Sequence, residues 1–94
     1  MKNYQQIVKD FAKEQGFDAP PMARLADLAS EVAELGKELL LGTDYGKSEL
    51  RLTANTENEL GDVIFVLMML ANSLELDLEK CLNKSMEKYR KRLS

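Results

Sequence analysis

The chain has 94 residues, a net charge of −3, no histidine, no tryptophan and a single cysteine, Cys81. Without histidine there can be no Ser-His-Asp or Cys-His triad, no imidazole zinc site and no Glu-x-x-His di-iron motif. The remaining carboxylates, lysines, arginines and tyrosines suit metal-assisted chemistry on phosphates. The length predicts one domain, residues 1–94, with a modest core.

Nothing in the sequence indicates secretion or membrane insertion. A lone cysteine cannot form an internal disulfide and fits a reducing compartment. The N-terminal segment Met1–Gln5 lacks the apolar stretch of a signal peptide. The longest apolar run, Val63–Ala71, is far shorter than the roughly 18–20 residues that span a bilayer. We therefore expect a soluble, cytoplasmic protein that does not contact a membrane.

Helical periodicity dominates the first half of the chain. A short amphipathic helix, ended by Gly16, has as its apolar stripe Tyr4, Ile7, Val8 and Phe11. Because proline is favoured in the first turn, a second helix is predicted from Pro20 or Pro21 to Gly42. Its apolar face consists of Met22, Leu25, Leu28 with Ala29, Val32, Leu35 and Leu39.

A third helix is predicted after the Gly-, Asp- and Ser-rich loop 42–48, starting between Thr53 and Thr56 and ending near Leu74. From Val63 to Ala71 it is apolar on every side, so it must be buried on every side. One 94-residue chain has too few other helices to cover it, which indicates a partner chain.

Asp77 is a favourable N-cap for a last helix that is predicted to reach about Leu93. Its inward residues are predicted to be Leu78, Cys81, Leu82, Met86 and Tyr89. The predicted fold is all-α: a four-helix chain with a long central antiparallel pair, assembled as a homodimer or homotetramer into an oligomeric helical bundle.

Two carboxylate pairs, Glu31-x-x-Glu34 and Glu59-x-x-Asp62, lie beside the apolar stripes of the two long helices. Spacing of i, i+3 places both acids of a pair on one helix face. Glu38 continues the first pair along the same side. If the two helices pack antiparallel, the acids meet across a groove and can hold hard divalent cations such as Mg²⁺ or Mn²⁺.

Each acid pair also has a plainer interpretation. Thr56-x-x-Glu59 matches a capping box, in which Glu59 would only satisfy amides at the start of a helix. The acids around Glu34 could equally form a solvated charged face. A single Glu-x-x-Glu carries little information, but two such pairs on successive helices, in a chain without histidine, favour metal binding.

The C-terminal segment 80–94 is basic. Six cations against one acid give it a charge of +5, so residues 1–79 carry −8: Lys80, Lys84, Lys88, Arg90, Lys91 and Arg92 against Glu87. An acidic body argues against nucleic-acid binding, which needs a broad basic face. Lys84, Lys88 and Arg92, at i, i+4, i+8, form a stripe able to bind the outer phosphates of a substrate. Alternatively, these cations complement the C-terminal end of the helix dipole.

Four segments, in this order, resemble the MazG-like all-α nucleotide pyrophosphohydrolases: Glu31-Val-Ala-Glu34-Leu, Glu59-Leu-Gly-Asp62-Val-Ile-Phe-Val-Leu, Leu76-Asp77-Leu78-Glu79-Lys80, and Lys84 with Glu87–Arg92. The resemblance covers Leu25–Arg92 and implies a single MazG-like domain over residues 1–94. It implies Mg²⁺-dependent hydrolysis of a nucleoside or deoxynucleoside triphosphate to the monophosphate and pyrophosphate, a housecleaning activity on the nucleotide pool, with Mn²⁺ as a substitute. The ligands of the family carry over to Glu31, Glu34, Glu59 and Asp62.

The mechanism that fits these residues is two-metal attack of water at the α-phosphate, with pyrophosphate leaving in line. Without histidine a carboxylate must accept the proton, and Glu31 and Glu34 are the candidates, with base and ligand not distinguished. Asn72 is a candidate hydrogen-bond partner for a sugar or base, or simply an amide near a helix end. Without tryptophan, base stacking would use Phe or Tyr.

Many relatives have a glycine where this chain has Glu75. Because the position ends a helix and favours a left-handed residue, we expect an altered turn rather than an altered site. Two other classes compete with the enzyme interpretation. One is a non-catalytic helical oligomerisation or interaction module whose acids are solvated. The other is a ferritin-like metallo-oxidase, against which the absence of histidine argues.

Overall fold

The computed structural model describes residues 2–94, apart from the side chain of Lys2; Met1, at the start of the segment considered above for a signal peptide, lies outside the described residues. This range contains four helices and no strand: α1 Lys2–Gln15, α2 Pro21–Gly42, α3 Ala54–Ser73 and α4 Leu78–Leu93. The predicted all-α class is confirmed, and each helix begins and ends close to its predicted position. Across the described chain, every helix is too short or too polar for a transmembrane span.

Proline and glycine set the two ends of α2. Pro20 is the N-cap, with φ −68° and ψ 159°, and Pro21 is the first helical residue, where the missing N–H costs nothing. At the other end, the Arg51 N–H donates to the Gly42 carbonyl at 2.9 Å. A Cβ on Gly42 would lie 2.5 Å from the Arg51 carbonyl oxygen. Glycine at position 42 therefore lets the 43–53 connection return closely against α2.

The start of α3 differs from one of the alternatives above. Thr53 is the N-cap, with φ −96° and ψ 168°, and its N–H donates to Thr56 Oγ1 at 3.1 Å. The Thr56–Glu59 capping box is therefore wrong, because Thr56 is already the third helical residue and Glu59 lies in the turn beyond it. Thr53 and Thr56 cap the start of α3 one turn before the predicted position, so the Glu59 carboxylate is available for other contacts.

The two long helices α2 and α3 form the main packed pair, and α1 packs against α3. Among the described residues, the buried ones are Met68, Met69 and Ala71, all on α3 and 4–6% exposed. Phe65 of α3 meets Phe11 of α1 edge to face, with ring centroids 5.9 Å apart. The core of the chain is thus the second half of α3, as its continuous apolar sequence requires.

A single side chain joins α1 to the end of α3 and the start of α4. Gln5 Nε2 donates to Asn72 Oδ1 at 2.9 Å and to the Leu76 carbonyl at 2.7 Å. Its Oε1 accepts from the Leu78 N–H at 2.9 Å, and Asn72 Nδ2 donates back to the Gln5 carbonyl at 3.2 Å. Both polar atoms of the Asn72 amide are therefore engaged by Gln5.

The turn between α3 and α4 has the left-handed residue that the sequence predicts. Glu75 has φ +56°, and the Leu76 N–H donates to the Ala71 carbonyl at 3.0 Å, which closes the helix end. The conformation costs a residue with a Cβ about 1 kcal/mol relative to glycine. Asp77 then caps α4, since its Oδ1 accepts from the Glu79 N–H at 2.9 Å. The departure at Glu75 is accommodated locally.

The single chain leaves much apolar surface uncovered. Its Cα radius of gyration is 15.9 Å, compared with about 12 Å for a compact domain of this length. Its accessible surface is 7355 Å², compared with about 5,500 Å² for a compact monomer of this mass. The sequence predicts Tyr89 to point inward, but it is 55% exposed, and Ile64 of α3 is 45% exposed. The fold therefore leaves the apolar surface of α3 incompletely covered by its own chain.

Candidate metal centre

Three carboxylates from the two long helices converge in the groove between α2 and α3. Glu31, Glu59 and Asp62 each place one oxygen so that all three oxygens lie within 4.8 Å of one another. Glu31 and Glu59 are half-buried, whereas Asp62 is exposed. Because Glu59 and Asp62 are one turn apart and Glu31 faces them from the opposite helix, the three can enclose one point from two sides.

Glu34, the fourth predicted ligand, lies outside this group of three. It is one turn after Glu31 on α2 and is exposed. Its charge still acts on the groove, because it contributes to the electrostatic environment of Glu59. The structure thus places three of the four predicted acids together and Glu34 at their edge.

The environment raises the pKa of the Glu59 carboxyl above its ordinary value. Partial loss of contact with water is the largest cause, and the negative charges of nearby carboxylates add to it, in decreasing order from Asp62, Glu34, Glu31 and Glu38. In the described part of the chain, ion pairs join Arg24 to Asp27 and Arg90 to Glu87, and neither involves the acids around Glu59. Negative charge is therefore concentrated in the groove, and no ion pair among the described residues neutralises it.

The donor set fits a hard divalent cation. Carboxylate oxygens are the ligands that Mg²⁺ and Mn²⁺ prefer. Two oxygens bound to one Mg²⁺ at about 2.1 Å can be at most about 4.2 Å apart, so the observed spread of up to 4.8 Å needs a small side-chain rotation. Glu31, Glu59 and Asp62 can make that rotation because none is fully buried.

Glu38 makes a contact that the sequence does not predict. Thr53 Oγ1 donates to Glu38 Oε1 at 2.6 Å, at the end of the α2–α3 pair where the 43–53 connection joins the two helices. Glu38 is two turns beyond Glu31 on α2, and Thr53 is about two turns before the acids of α3. The i, i+7 spacing of Glu31 and Glu38 indicated a shared face, but the hydroxyl partner in the connection had no sequence signal.

The predicted phosphate-binding stripe on α4 is exposed. Lys84, Lys88 and Arg92 are all exposed, and both Lys88 Nζ and Arg92 Cζ stand over the Tyr89 ring, 5.1 and 5.7 Å from its centroid. The main contact of α4 is with α1, and none of the ion pairs described above joins the stripe to the groove. Within one chain, these three side chains are accessible to an anion. The fold of one chain does not place them beside the acids of the α2–α3 groove.

Asn72, the predicted contact to a sugar or base, is half-buried and hydrogen-bonded on both polar atoms to Gln5. This arrangement agrees with an amide that completes a helix end. Asn72 also lines a cavity with Phe17 and Arg24, and its contact with a sugar or base stays a prediction. A role in substrate binding would require Asn72 to give up these bonds.

The chain is an all-α protein in which carboxylates of two paired helices face each other across a groove. A sequence model of the MazG nucleotide pyrophosphohydrolase domain matches residues 21–94. This segment is most of the chain and contains all four predicted ligands. The chain belongs to the MazG nucleotide pyrophosphohydrolase domain family, as the motifs around Glu31 and Glu59 predict.

Individual relatives agree with this assignment. YpjD of Bacillus subtilis (strain 168), described as an uncharacterized protein, is 39% identical over 75 residues. The match covers 77% of this chain and spans 66% of the relative's length. The crystal structure of the same protein, described as a candidate pyrophosphatase, has a TM-score of 0.78 and 34% identity, and covers 95% of this chain and 91% of that one. A Bacillus-conserved MazG protein, described as a nucleotide pyrophosphohydrolase, has a TM-score of 0.75 and 36% identity, with coverage of 94% and 86%.

Proposed function

We propose that this chain hydrolyses a nucleoside or deoxynucleoside triphosphate to the monophosphate and pyrophosphate with the help of Mg²⁺ or Mn²⁺. The observation that carries the proposal is the convergence of Glu31, Glu59 and Asp62 in a chain of the MazG family. The solved structure of a MazG protein described as a nucleotide pyrophosphohydrolase supports it further.

The residues divide into two roles. Glu31, Glu59 and Asp62 hold the cation, and a divalent ion held there would lower the pKa of water and neutralise phosphate charge. Glu34 is one turn away from Glu31 and outside the group of three, so it is free to accept the proton from the attacking water. The geometry therefore favours Glu34 as the base and Glu31 as a ligand, a choice that the sequence left open.

The active form is proposed to be a homodimer or homotetramer. The surface of the chain, 7355 Å², exceeds that of a compact monomer by about 1,900 Å². Summed over two chains, this excess is within the roughly 2,000–5,000 Å² that obligate interfaces bury. Apolar residues of α3, Ile64 among them, account for part of this exposure. In such an assembly Lys84, Lys88 and Arg92 are proposed to bind the β- and γ-phosphates of the substrate.

An interaction module without catalysis explains the exposed apolar faces but not the groove. Partial loss of contact with water and the negative charges of the neighbouring carboxylates raise the pKa of Glu59, so the ionised acids work against the fold when no cation is bound. An interaction module would gain nothing from converging carboxylates, whereas an enzyme that binds a metal ion through them requires this convergence. The cytoplasmic location stays a prediction, and an activity on soluble nucleotides is consistent with it.

The proposal is tested by measuring pyrophosphate and orthophosphate release from a panel of ribo- and deoxyribonucleoside triphosphates, with Mg²⁺, with Mn²⁺ and with EDTA. We expect pyrophosphate as the first product, in the presence of a divalent cation only. Release of γ-phosphate alone, or no product from any triphosphate with either metal, would contradict the proposal and favour the interaction module.

A further inference from the structure

A cavity of about 370 Å³ opens where the end of α1 and the connection to α2 meet the two long helices. Its lining includes Phe17, Arg24 and Met69, and it shares no residue with the acidic group. Its size and its mixture of apolar walls with a few polar groups are those of a small-molecule site.

The cavity is aligned with the acidic group along the same groove. Arg24 precedes Glu31 by seven residues on α2, and Met69 follows Asp62 by seven residues on α3. Because the two helices are antiparallel, the displacement from Glu31 to Arg24 and the displacement from Asp62 to Met69 point in the same direction. Each is about 10 Å along the helix axis. A nucleotide whose phosphates lie at the acids can therefore extend its base into this cavity.

Arg24 has unused hydrogen-bonding capacity at the cavity wall. Its side chain is only 13% exposed, and its Nη1 atom is 3.6 Å from Asp27 Oδ2, longer than the roughly 2.7–2.9 Å of a charge-assisted hydrogen bond. No hydrogen bond joins its guanidinium to another described residue. A largely covered guanidinium gains stability from any acceptor that reaches it, and the cavity is the route by which a ligand can do so.

Phe17 supplies an aromatic surface at the same cavity. It is 49% exposed, although its ring is held edge to face by Phe11 with centroids 6.2 Å apart. A half-exposed aromatic ring beside a cavity is a platform on which a nucleobase of any kind can stack. Phe17 can therefore contribute affinity, while Arg24 supplies selectivity.

We propose that this cavity binds the base of the nucleotide, with Phe17 stacked on the ring and Arg24 donating to a base carbonyl; the inference rests on the proposed function. Because arginine has donors and no acceptor, Arg24 pairs with the O6 and N7 acceptors of guanine. At the same position adenine presents an amino group, which Arg24 cannot satisfy. The chain therefore prefers GTP to ATP and, by the same reasoning, UTP to CTP.

The test compares kcat/KM for GTP, ATP, UTP and CTP in the wild type, in Arg24→Gln and in the control Arg51→Gln, a matched change at an exposed position of the 43–53 connection. We expect the wild type to favour GTP over ATP by at least about tenfold. Glutamine can donate and accept, and it pairs with adenine, so Arg24→Gln should lower this ratio by about tenfold or more. Arg51→Gln should leave it unchanged. An equal loss for all four substrates, or an unchanged ratio in Arg24→Gln, would overturn the proposal.

A binding measurement separates this proposal from the proposed activity. The NMR signal of the Arg24 Nε–H is followed in EDTA during titration with GMP, AMP and inorganic pyrophosphate, and the same spectra report whether each variant is folded. GMP should shift the signal at lower concentration than AMP, even if the chain hydrolyses no triphosphate, in which case only the proposed activity fails. If pyrophosphate release is observed but the signal ignores GMP, or responds to pyrophosphate instead, the cavity proposal is wrong and the activity stands.

Discussion

Thr53, the N-cap of α3, donates a 2.6 Å hydrogen bond to Glu38 of α2. This bond ties the first residue before α3 to a position two turns beyond Glu31. It therefore helps to fix the alignment of the two helices that brings Glu31 opposite Glu59 and Asp62. The contact lies in the connection, outside the acidic motifs, yet it positions them.

We expect Thr53→Val, which keeps the shape of the side chain but removes the hydroxyl, to lower the free energy of unfolding by about 1 kcal/mol. It should also raise the Mg²⁺ concentration needed for half-maximal activity, because the acids are held less firmly in alignment. Urea unfolding at fixed protein concentration and a Mg²⁺ titration check both effects. Thr53→Ser keeps the donor and serves as the control; if it behaves like the valine variant, the hydroxyl is not responsible.

Divalent cations should stabilise the fold, because the acids of the groove repel one another without one. A ligand that binds the native state alone adds about 2.7 kcal/mol at a hundredfold excess over its Kd. Millimolar Mg²⁺ or Mn²⁺ should therefore raise the Tm, and Glu59→Gln or Asp62→Asn should reduce that rise. Thermal unfolding in EDTA and in Mg²⁺ measures the difference, and identical curves in the two buffers would argue strongly against a metal site.

The raised pKa of Glu59 predicts how stability depends on pH in the absence of metal. Its pKa lies above the ordinary value of 4.5, so the folded protein holds this proton more tightly than the unfolded chain. The associated stability is complete below pH 4.5 and is lost as the pH rises through the raised pKa.

Glu59→Gln keeps an uncharged side chain at every pH and isolates this effect. In EDTA, the Tm of the variant should rise relative to that of the wild type as the pH increases from 4.5 to 7, because only the wild type gains a charge at this position. In saturating Mg²⁺ at pH 7 the order should reverse, because the variant has lost a ligand. A constant difference across the pH range in EDTA would show that Glu59 is not perturbed.

Replacement of Glu34 should affect chemistry more than folding. Because Glu34 is exposed, Glu34→Gln should leave the circular dichroism spectrum and Tm nearly unchanged while it lowers kcat by about 10²- to 10⁴-fold. Glu14→Gln, at an exposed position of α1, is the matched control and should retain full activity. Wild-type kcat in Glu34→Gln would remove Glu34 from the proposed mechanism.

Lys84→Ala provides a contrast within the same assay. Since Lys84 is proposed to bind outer phosphates, its loss should raise KM more than it lowers kcat. A fall in kcat alone, at unchanged KM, would place Lys84 elsewhere in the reaction.

The exposed face of α3 should hold the oligomer together. Ile64 is 45% exposed in the single chain, so Ile64→Asp should dissociate the assembly, as measured by sedimentation or light scattering at micromolar concentration. Met68 is a poorer choice, because it is 4% exposed and a charge there would unfold the chain itself. Asn55→Asp, on an exposed position of the same helix, is the control. A wild type that sediments as a stable monomer would contradict the proposed assembly.

The sequence by itself determined the elements of the fold, because the signals that set them are local. Pro21 at the start of α2, Gly42 at its end and Asp77 before α4 act on their own turns, whatever the rest of the chain does. The left-handed residue at Glu75 was predictable for the same reason. The family, too, follows from the order and spacing of motifs along the chain.

The tertiary structure decided which side chains meet. Glu31 and Glu34 look equivalent as ligands in the sequence, but only Glu31 faces Glu59 and Asp62 closely enough to join their group, because the rotation of α2 about its axis is set by packing. Asn72 is engaged by Gln5 from 67 positions away. Contacts between residues so far apart depend on how whole helices pack, and the periodicity of one helix contains no information on the residue that faces it.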